Sequence, residues 1–230
     1  MHPSALKNAE QFFNNYLLSR NKMVVDLGSQ DVNGSIRSVC PKGVQYVGLD
    51  FIDAPGVDIV LTDPYKLPLQ DSSVDIVVSS SCFEHSEMFW VVFIEILRIL
   101  KPGGLFYLNV PTSGSFHQYP VDCWRFYPDS GKALVSWGKR NNCEVELLES
   151  YTQVGGMWQD FVAVFVKGNH ENVRDYPTRI IDNKVDYENG YVFGDEKCRN
   201  FQNTTQDQRV LSSAVGKLAK KFHRLFLTSN

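Results

Sequence analysis

The chain has 230 residues, 43% of them hydrophobic, enough for one α/β domain with a sizeable core and a modest appendage but not for two ordinary enzymatic domains. With 23 basic against 26 acidic residues and a formal charge of -3, no global basic field would hold a nucleic-acid backbone, so no nucleic acid is expected as a partner. No run reaches the roughly 20 apolar residues of a membrane span, the start lacks the pattern of a signal peptide, and the 5 scattered cysteines form no C-x-x-C pair, which together point to free thiols in a cytoplasmic protein.

In chain order, residues 4–19 carry Phe12, Phe13, Tyr16 and Leu17 at helical spacing and predict an amphipathic opening helix. Five short Val/Ile/Leu-rich runs follow before residue 111: MVVDLG, VQYVGLDF, VDIVLTD, VDIVVSSS and GLFYLNV. Each ends in a polar or glycine-bearing turn, as strands covered on both faces of a parallel sheet do. A helix is expected after Gly34, between the first two. Between the fourth and fifth, Phe89, Phe93, Ile96, Leu97 and Leu100 recur at helical intervals and stop at Lys101-Pro102-Gly103-Gly104, which makes a crossover helix. A further helix is predicted near 128–140, then strands near 144–151 and 161–167 that could pair at one edge. The polar segment 168–208 reads as an irregular extension or small cap, and 209–230 as an amphipathic basic helix. That last helix suits either a homodimer contact or a peripheral contact with the inner membrane face.

The chemistry concentrates at the carboxyl ends of the strands, where an open parallel sheet leaves a crevice and helix N-termini present free N–H groups. Asp26 and Gly28 end the first strand, and Asp50 ends the second, 24 residues after Asp26, where a carboxylate can accept both hydroxyls of a ribose. The turn lacks G-x-G-x-x-G: Gln30 and Asp31 follow Gly28, placing a side chain and a negative charge where a pyrophosphate would sit, which disfavours NAD and FAD.

Asp26-Leu27-Gly28, Asp50, Asp63 in LTDPYKLPLQDSSVD, and CFEH before the helix ending LKPGG together resemble class I S-adenosylmethionine-dependent methyltransferases of the broad type 11 group, over residues 23–167. The resemblance implies a Rossmann-like α/β fold, with helices on both faces of a seven-stranded, mostly parallel sheet whose last strand is antiparallel. It implies S-adenosyl-L-methionine as cofactor, with S-adenosyl-L-homocysteine as product. Gly28, Ser29 and Gln30 would form the turn at the methionine moiety, with Asn33 beside it; Asp50 and Phe51 would hold the ribose; Asp63 and Pro64 would meet the adenine. Ser80 and Ser81 would lie close to the sulfonium, and His85 at the turn beyond. The family usually carries a second glycine where Gln30 stands.

The resemblance also implies Asp26 as a cofactor contact and a catalytic part for His85, and plainer roles stand beside these: Asp26 as an anchor of its turn, Asp63 as a turn residue, His85 as a helix cap. The segment NVPTSGSFHQYPVDCWRFYPDS opens onto the same crevice and has two readings. In one it is a lid packed by its own rings, with an internal Asp122–Arg125 salt bridge. In the other it is the acceptor platform: His117 or Asp122 takes a proton from a hydroxyl, Tyr119 and Trp124 offer flat faces, and Arg125 holds an anionic group. The YPVDCWRFYP string and the DVNGS turn are similar to methyltransferases of bacterial surface-polysaccharide biosynthesis, which implies a sugar hydroxyl as acceptor. The competing readings are methylation of an aromatic or other small metabolite, and a non-catalytic cofactor-binding scaffold. No His, Asp and Glu stand at a recognisable metal-ligand spacing, so no metal is expected and activity is expected to survive a chelator.

Overall fold

The computed structural model describes residues 2–19, 21–154, 159–182, 185–203, 213, 215 and 216. The chain divides into two units, Met1–Asn200 and Phe201–Asn230. In the second, Ser213, Val215 and Gly216 are helical, and the rest of the basic helix expected at 209–230 lies outside the described residues.

The first unit is an eight-stranded sheet in the order β3-β2-β1-β4-β5-β7-β6-β8. Its strands are β1 (Met23–Leu27), β2 (Gln45–Asp50), β3 (Ile59–Val60), β4 (Val74–Ser80), β5 (Leu100–Pro111), β6 (Val145–Gln153), β7 (Asp160–Lys167) and β8 (Tyr187–Val192). The first five are parallel, β7 runs antiparallel to β5 and to β6, and β8 is antiparallel to β6. The apolar runs become strands because both faces are covered. Val24, Val25, Val77, Val78, Phe106 and Tyr107 are all fully buried, with alternate residues feeding opposite layers.

One layer is built by α2 (Phe89–Ile99) and α3 (Ser130–Arg140). Phe93 of α2 stacks edge-on to Phe165 at 5.3 Å between ring centroids. The Lys101-Pro102-Gly103-Gly104 stop is not a loop, because β5 already starts at Leu100. A register shift between Val74 and Ile76 of β4 absorbs the extra residues.

The other layer is built by α1 (Pro3–Tyr16), which begins on Pro3, where a helix has no use for an N–H. Its Phe12 meets Tyr107 of β5 at 4.7 Å. The helix expected after Gly34 is absent: only a 3-10 turn, Ile36–Ser38, links β1 to β2. Pro41 and Gly43 break that short connection, and Ile36 shares a core cluster with Phe12 and Phe13, so α1 covers the face a crossover helix would have taken.

The eighth strand departs from the expected seven, and it comes from the stretch read as an irregular extension. Within it Ile180 and Ile181 pack against β6: both are buried and their amides donate to Glu149 at 2.9 Å each. The Tyr16 hydroxyl donates to the same carboxylate at 2.5 Å, tying α1 into the network. A short capped helix, α4 (His170–Val173), opens this stretch. Among the described residues no helix is long and apolar enough to cross a membrane.

Candidate functional site

Strand order reverses between β1 and β4, and a crevice of about 710 Å³ opens there at the carboxyl ends of β1 to β5. Its floor is the turn after β1. Gly28 takes φ +84° and donates to Leu49 O at 2.9 Å; a Cβ there would meet Cys82 Cβ at 2.6 Å, so only glycine passes this corner. Gln30, Asn33 and Gly34 line the crevice. Asp31 does not: its carboxylate accepts from the Gly34 amide at 2.8 Å, so the charge expected to oppose a pyrophosphate is taken up in closing the turn.

Asp50 stands at the end of β2 in the crevice wall, 7% exposed. The Gln30 amide donates to its Oδ2 at 3.1 Å and the Phe51 amide to its Oδ1 at 2.7 Å, which fixes the carboxylate plane toward the opening. Phe51, Leu61, Pro64 and Tyr65 add an apolar slot beside it. Ser80 and Ser81 line the opposite wall, and Ser80 Oγ is buried without a hydrogen-bond partner among the described residues. An orphaned hydroxyl, a carboxylate pinned at a strand end and a glycine corner that admits no side chain suit an uncharged ribose and an amino-acid zwitterion. The residues present thus fit S-adenosylmethionine.

Three residues expected at the cofactor are placed elsewhere. Asp26 is buried under the sheet end and accepts from the Tyr46 hydroxyl at 2.7 Å; burial pushes its pKa up to about 7. Ser29 packs against Gly48 instead of facing the crevice. Asp63 is exposed, outside the lining, and its carboxylate accepts from the Tyr65 amide at 2.8 Å, as a turn residue does.

At the far end, the turn after β4 meets the loop after β5. His85, His117 and Tyr119 line the crevice there, with the His85 and His117 rings edge-on at 5.1 Å. Nδ1 of His85 donates to Val121 O at 2.5 Å, and burial lowers the His85 pKa. Asp122, Trp124 and Arg125 do not line the crevice. Arg125 clamps Asp122 with two bonds of 2.5 and 2.8 Å, which hold that carboxyl well below the usual range, and the His117 amide donates to the same carboxylate at 2.8 Å. Trp124 donates to Ser86 O at 2.9 Å and packs on Phe89 and Trp90 at 5.5 and 5.7 Å. The lid reading therefore accounts for Trp124 and Arg125, and of the residues read as an acceptor platform His117 and Tyr119 line the crevice.

Sequence reasoning missed Glu84, Asp160 and His2. Glu84 is 1% exposed, lines the crevice and has an unpartnered Oε2; burial pushes its pKa up to about 8. Asp160 opens β7 at the same edge, accepts from Ser4 Oγ at 2.7 Å, and is likewise raised by burial. Glu84 of the quoted CFEH carried a signal, an acid in the turn that follows β4; His2, at the N-cap position of α1, carried none. Nor did sequence spacing disclose that nitrogens of His85 and His117 and a carboxylate oxygen of Asp122 lie within 4.8 Å of one another.

Comparison with known proteins agrees with this geometry. Residues 30–108 match the family described as "Methyltransferase domain". An uncharacterised methyltransferase of Mycobacterium bovis is 38% identical over 79 residues, 29% of this chain and 31% of that protein. A probable S-adenosylmethionine-dependent methyltransferase of Mycolicibacterium smegmatis is 35% identical over 128 residues, 52% of this chain and 46% of that one. The matched part thus spans less than half the length of either relative. A solved structure, the Burkholderia thailandensis 1,6-didemethyltoxoflavin-N1-methyltransferase with bound 1,6-didemethyltoxoflavin and S-adenosylhomocysteine, aligns with a TM-score of 0.56 at 15% identity, covering 72% of this chain and 79% of that one. The fold is the Rossmann-like one that such methyltransferases share, segment 30–108 matches a methyltransferase domain, and the matches support S-adenosylmethionine as the cofactor of this crevice.

Proposed function

We propose that this chain is an S-adenosylmethionine-dependent methyltransferase that methylates a hydroxyl of a saccharide or saccharide-containing intermediate. The observation that carries the reading is Asp50, held by the Gln30 and Phe51 amides with its carboxylate presented to the crevice beside the Gly28 corner. The cofactor, when bound, supplies a methyl group already activated by a sulfonium, so alignment carries much of the rate.

The chain's own residues do the rest. Asp50 and the β1 turn set the cofactor's register, and Ser80 offers its orphaned hydroxyl to the same ligand. His117 takes the proton of the acceptor hydroxyl, and Asp122, kept ionised by Arg125, orients it: Oδ2 lies 3.4 Å from His117 Nδ1. Support for a saccharide comes from the YPVDCWRFYP string and its resemblance to surface-polysaccharide methyltransferases. A second reading, an acceptor with an aromatic or acyl portion, is favoured by the exposed apolar rim of Val32, Phe51 and Tyr119 at the crevice mouth.

Incubation with methyl-labelled S-adenosylmethionine and a fractionated bacterial extract tests this. Label in nucleotide sugars or lipid-linked glycan is expected. Label confined to apolar metabolites would favour the second reading, and no label despite cofactor binding would leave the scaffold reading.

A further inference from the structure

We propose that His85, His117 and Asp122 form a binding site for a divalent transition metal at the acceptor end of the crevice. Their ligating atoms lie within 4.8 Å of one another, although the residues come from two separate loops. Two imidazoles and one carboxylate suit a borderline dication of the Zn2+ or Fe2+ class better than Mg2+, which prefers oxygen alone.

Each ligand is also oriented as metal ligands are, through its outer hydrogen bonds. His85 Nδ1 is tied to the Val121 carbonyl at 2.5 Å, which fixes the tautomer whose lone pair is on Nε2. His117 Nδ1 lies 3.1 Å from the Ser115 carbonyl, which favours the same tautomer. Arg125 and the His117 amide hold the Asp122 carboxylate in one plane. An independent observation points the same way. Glu84 is buried beside the cluster, its Oε1 3.9 Å from His85 Nε2, and its Oε2 has no hydrogen-bond partner among the described residues.

The binding claim rests on these residues alone; its purpose rests on the proposed methyl transfer. An ion held here would take an oxygen of the acceptor as a further ligand and acidify that hydroxyl, whose proton would pass to water; His117 would then serve as a ligand, and its role as base belongs to the metal-free chain. This reverses the expectation from sequence that no metal takes part.

The test titrates chelator-stripped, dialysed full-length protein with Zn2+ by calorimetry and with Co2+ by its visible d–d spectrum. One ion per chain is expected, with an imidazole-containing cobalt spectrum and at least tenfold weaker binding in His85→Asn and in His117→Asn. S-adenosylhomocysteine affinity, measured in parallel, reports the fold and the cofactor half independently. His117 is 38% exposed on its loop, so its variant keeps the test open if His85→Asn fails to fold. Absence of a bound ion, or an ion held equally by both variants through thiols or other donors, would overturn the proposal. Loss of homocysteine-derivative binding by the wild-type protein would instead count against the methyltransferase reading.

Discussion

The guanidinium of Arg125 holds the carboxylate of Asp122 through two bonds, Nη1 to Oδ1 at 2.5 Å and Nη2 to Oδ2 at 2.8 Å, with the Asp122 side chain only 2% exposed. That pair folds the loop after β5 onto the turn after β4 and so shapes the acceptor end. In Arg125→Ala the carboxylate stays buried with one amide donor, at a cost of about 2 kcal/mol. The Asp122 pKa is lowered in the folded state, so the pair's contribution is present above the ordinary carboxylate range and is lost as pH falls through and below it. Thermal unfolding should show a clear deficit for Arg125→Ala at pH 7 that shrinks toward pH 3. An equal deficit at both would mean the pair contributes no charge-dependent stability.

His117→Ala should reduce turnover about a hundredfold or more with little change in S-adenosylhomocysteine affinity, because the imidazole sits at the acceptor end and not at the Asp50 wall. Steady-state rates and calorimetry on one preparation separate the two effects. Unchanged turnover would remove His117 from the chemistry.

Trp124 and Tyr119 stand in one loop but should behave differently. Trp124 packs on Phe89 and Trp90 and bonds Ser86, so Trp124→Ala is expected to lower stability by about 1–2 kcal/mol. Tyr119 lines the crevice at 47% exposure, so Tyr119→Ala is expected to raise the acceptor KM while leaving the melting temperature near wild type. The opposite pattern would restore Trp124 to the acceptor site.

How much the sequence disclosed follows the same physical line. The place of Asp50 at the crevice was legible because an ionisable residue ends the apolar run Val47-Gly48-Leu49, and desolvation leaves such a group few roles. The parallel core was legible because strands buried on both faces read as unbroken apolar runs. Strand β8 was not: YENGYV has Asn189 at φ +50° and Gly190, lies at a sheet edge, and draws its order from Ile180, Ile181 and Glu149 rather than from its own pattern. The roles of Trp124 and Arg125 were not either, since an aromatic-rich loop reads alike whether its rings face a ligand or its own helix. The His85, His117 and Asp122 grouping depends on two loops meeting, which no linear spacing encodes.

Asp26 gives a pH signature apart from the crevice. Its pKa rises from the ordinary 3.8 to about 7 by burial, so the folded state retains a proton that the unfolded chain releases. Its stabilising share is full below about pH 4 and is lost as pH rises through 7. Asp26→Asn, whose amide oxygen still accepts from Tyr46, should flatten this slope. At pH 8 it should gain about 4 kcal/mol relative to wild type, and at pH 4 almost nothing. Denaturant unfolding at both values checks it; parallel slopes would show that Asp26 ionises at an ordinary pH.

On the proposed function, the crevice between β1 and β4 holds S-adenosylmethionine through Asp50. Calorimetric titration of S-adenosylhomocysteine into wild type and Asp50→Ala tests it directly. Saturable one-to-one binding by the wild-type chain, weakened about thirtyfold or more in Asp50→Ala, is the predicted result, since a hydrogen-bonded charged group contributes about 2 kcal/mol. Binding that Asp50→Ala leaves intact, or no binding by the wild-type chain at all, would contradict it.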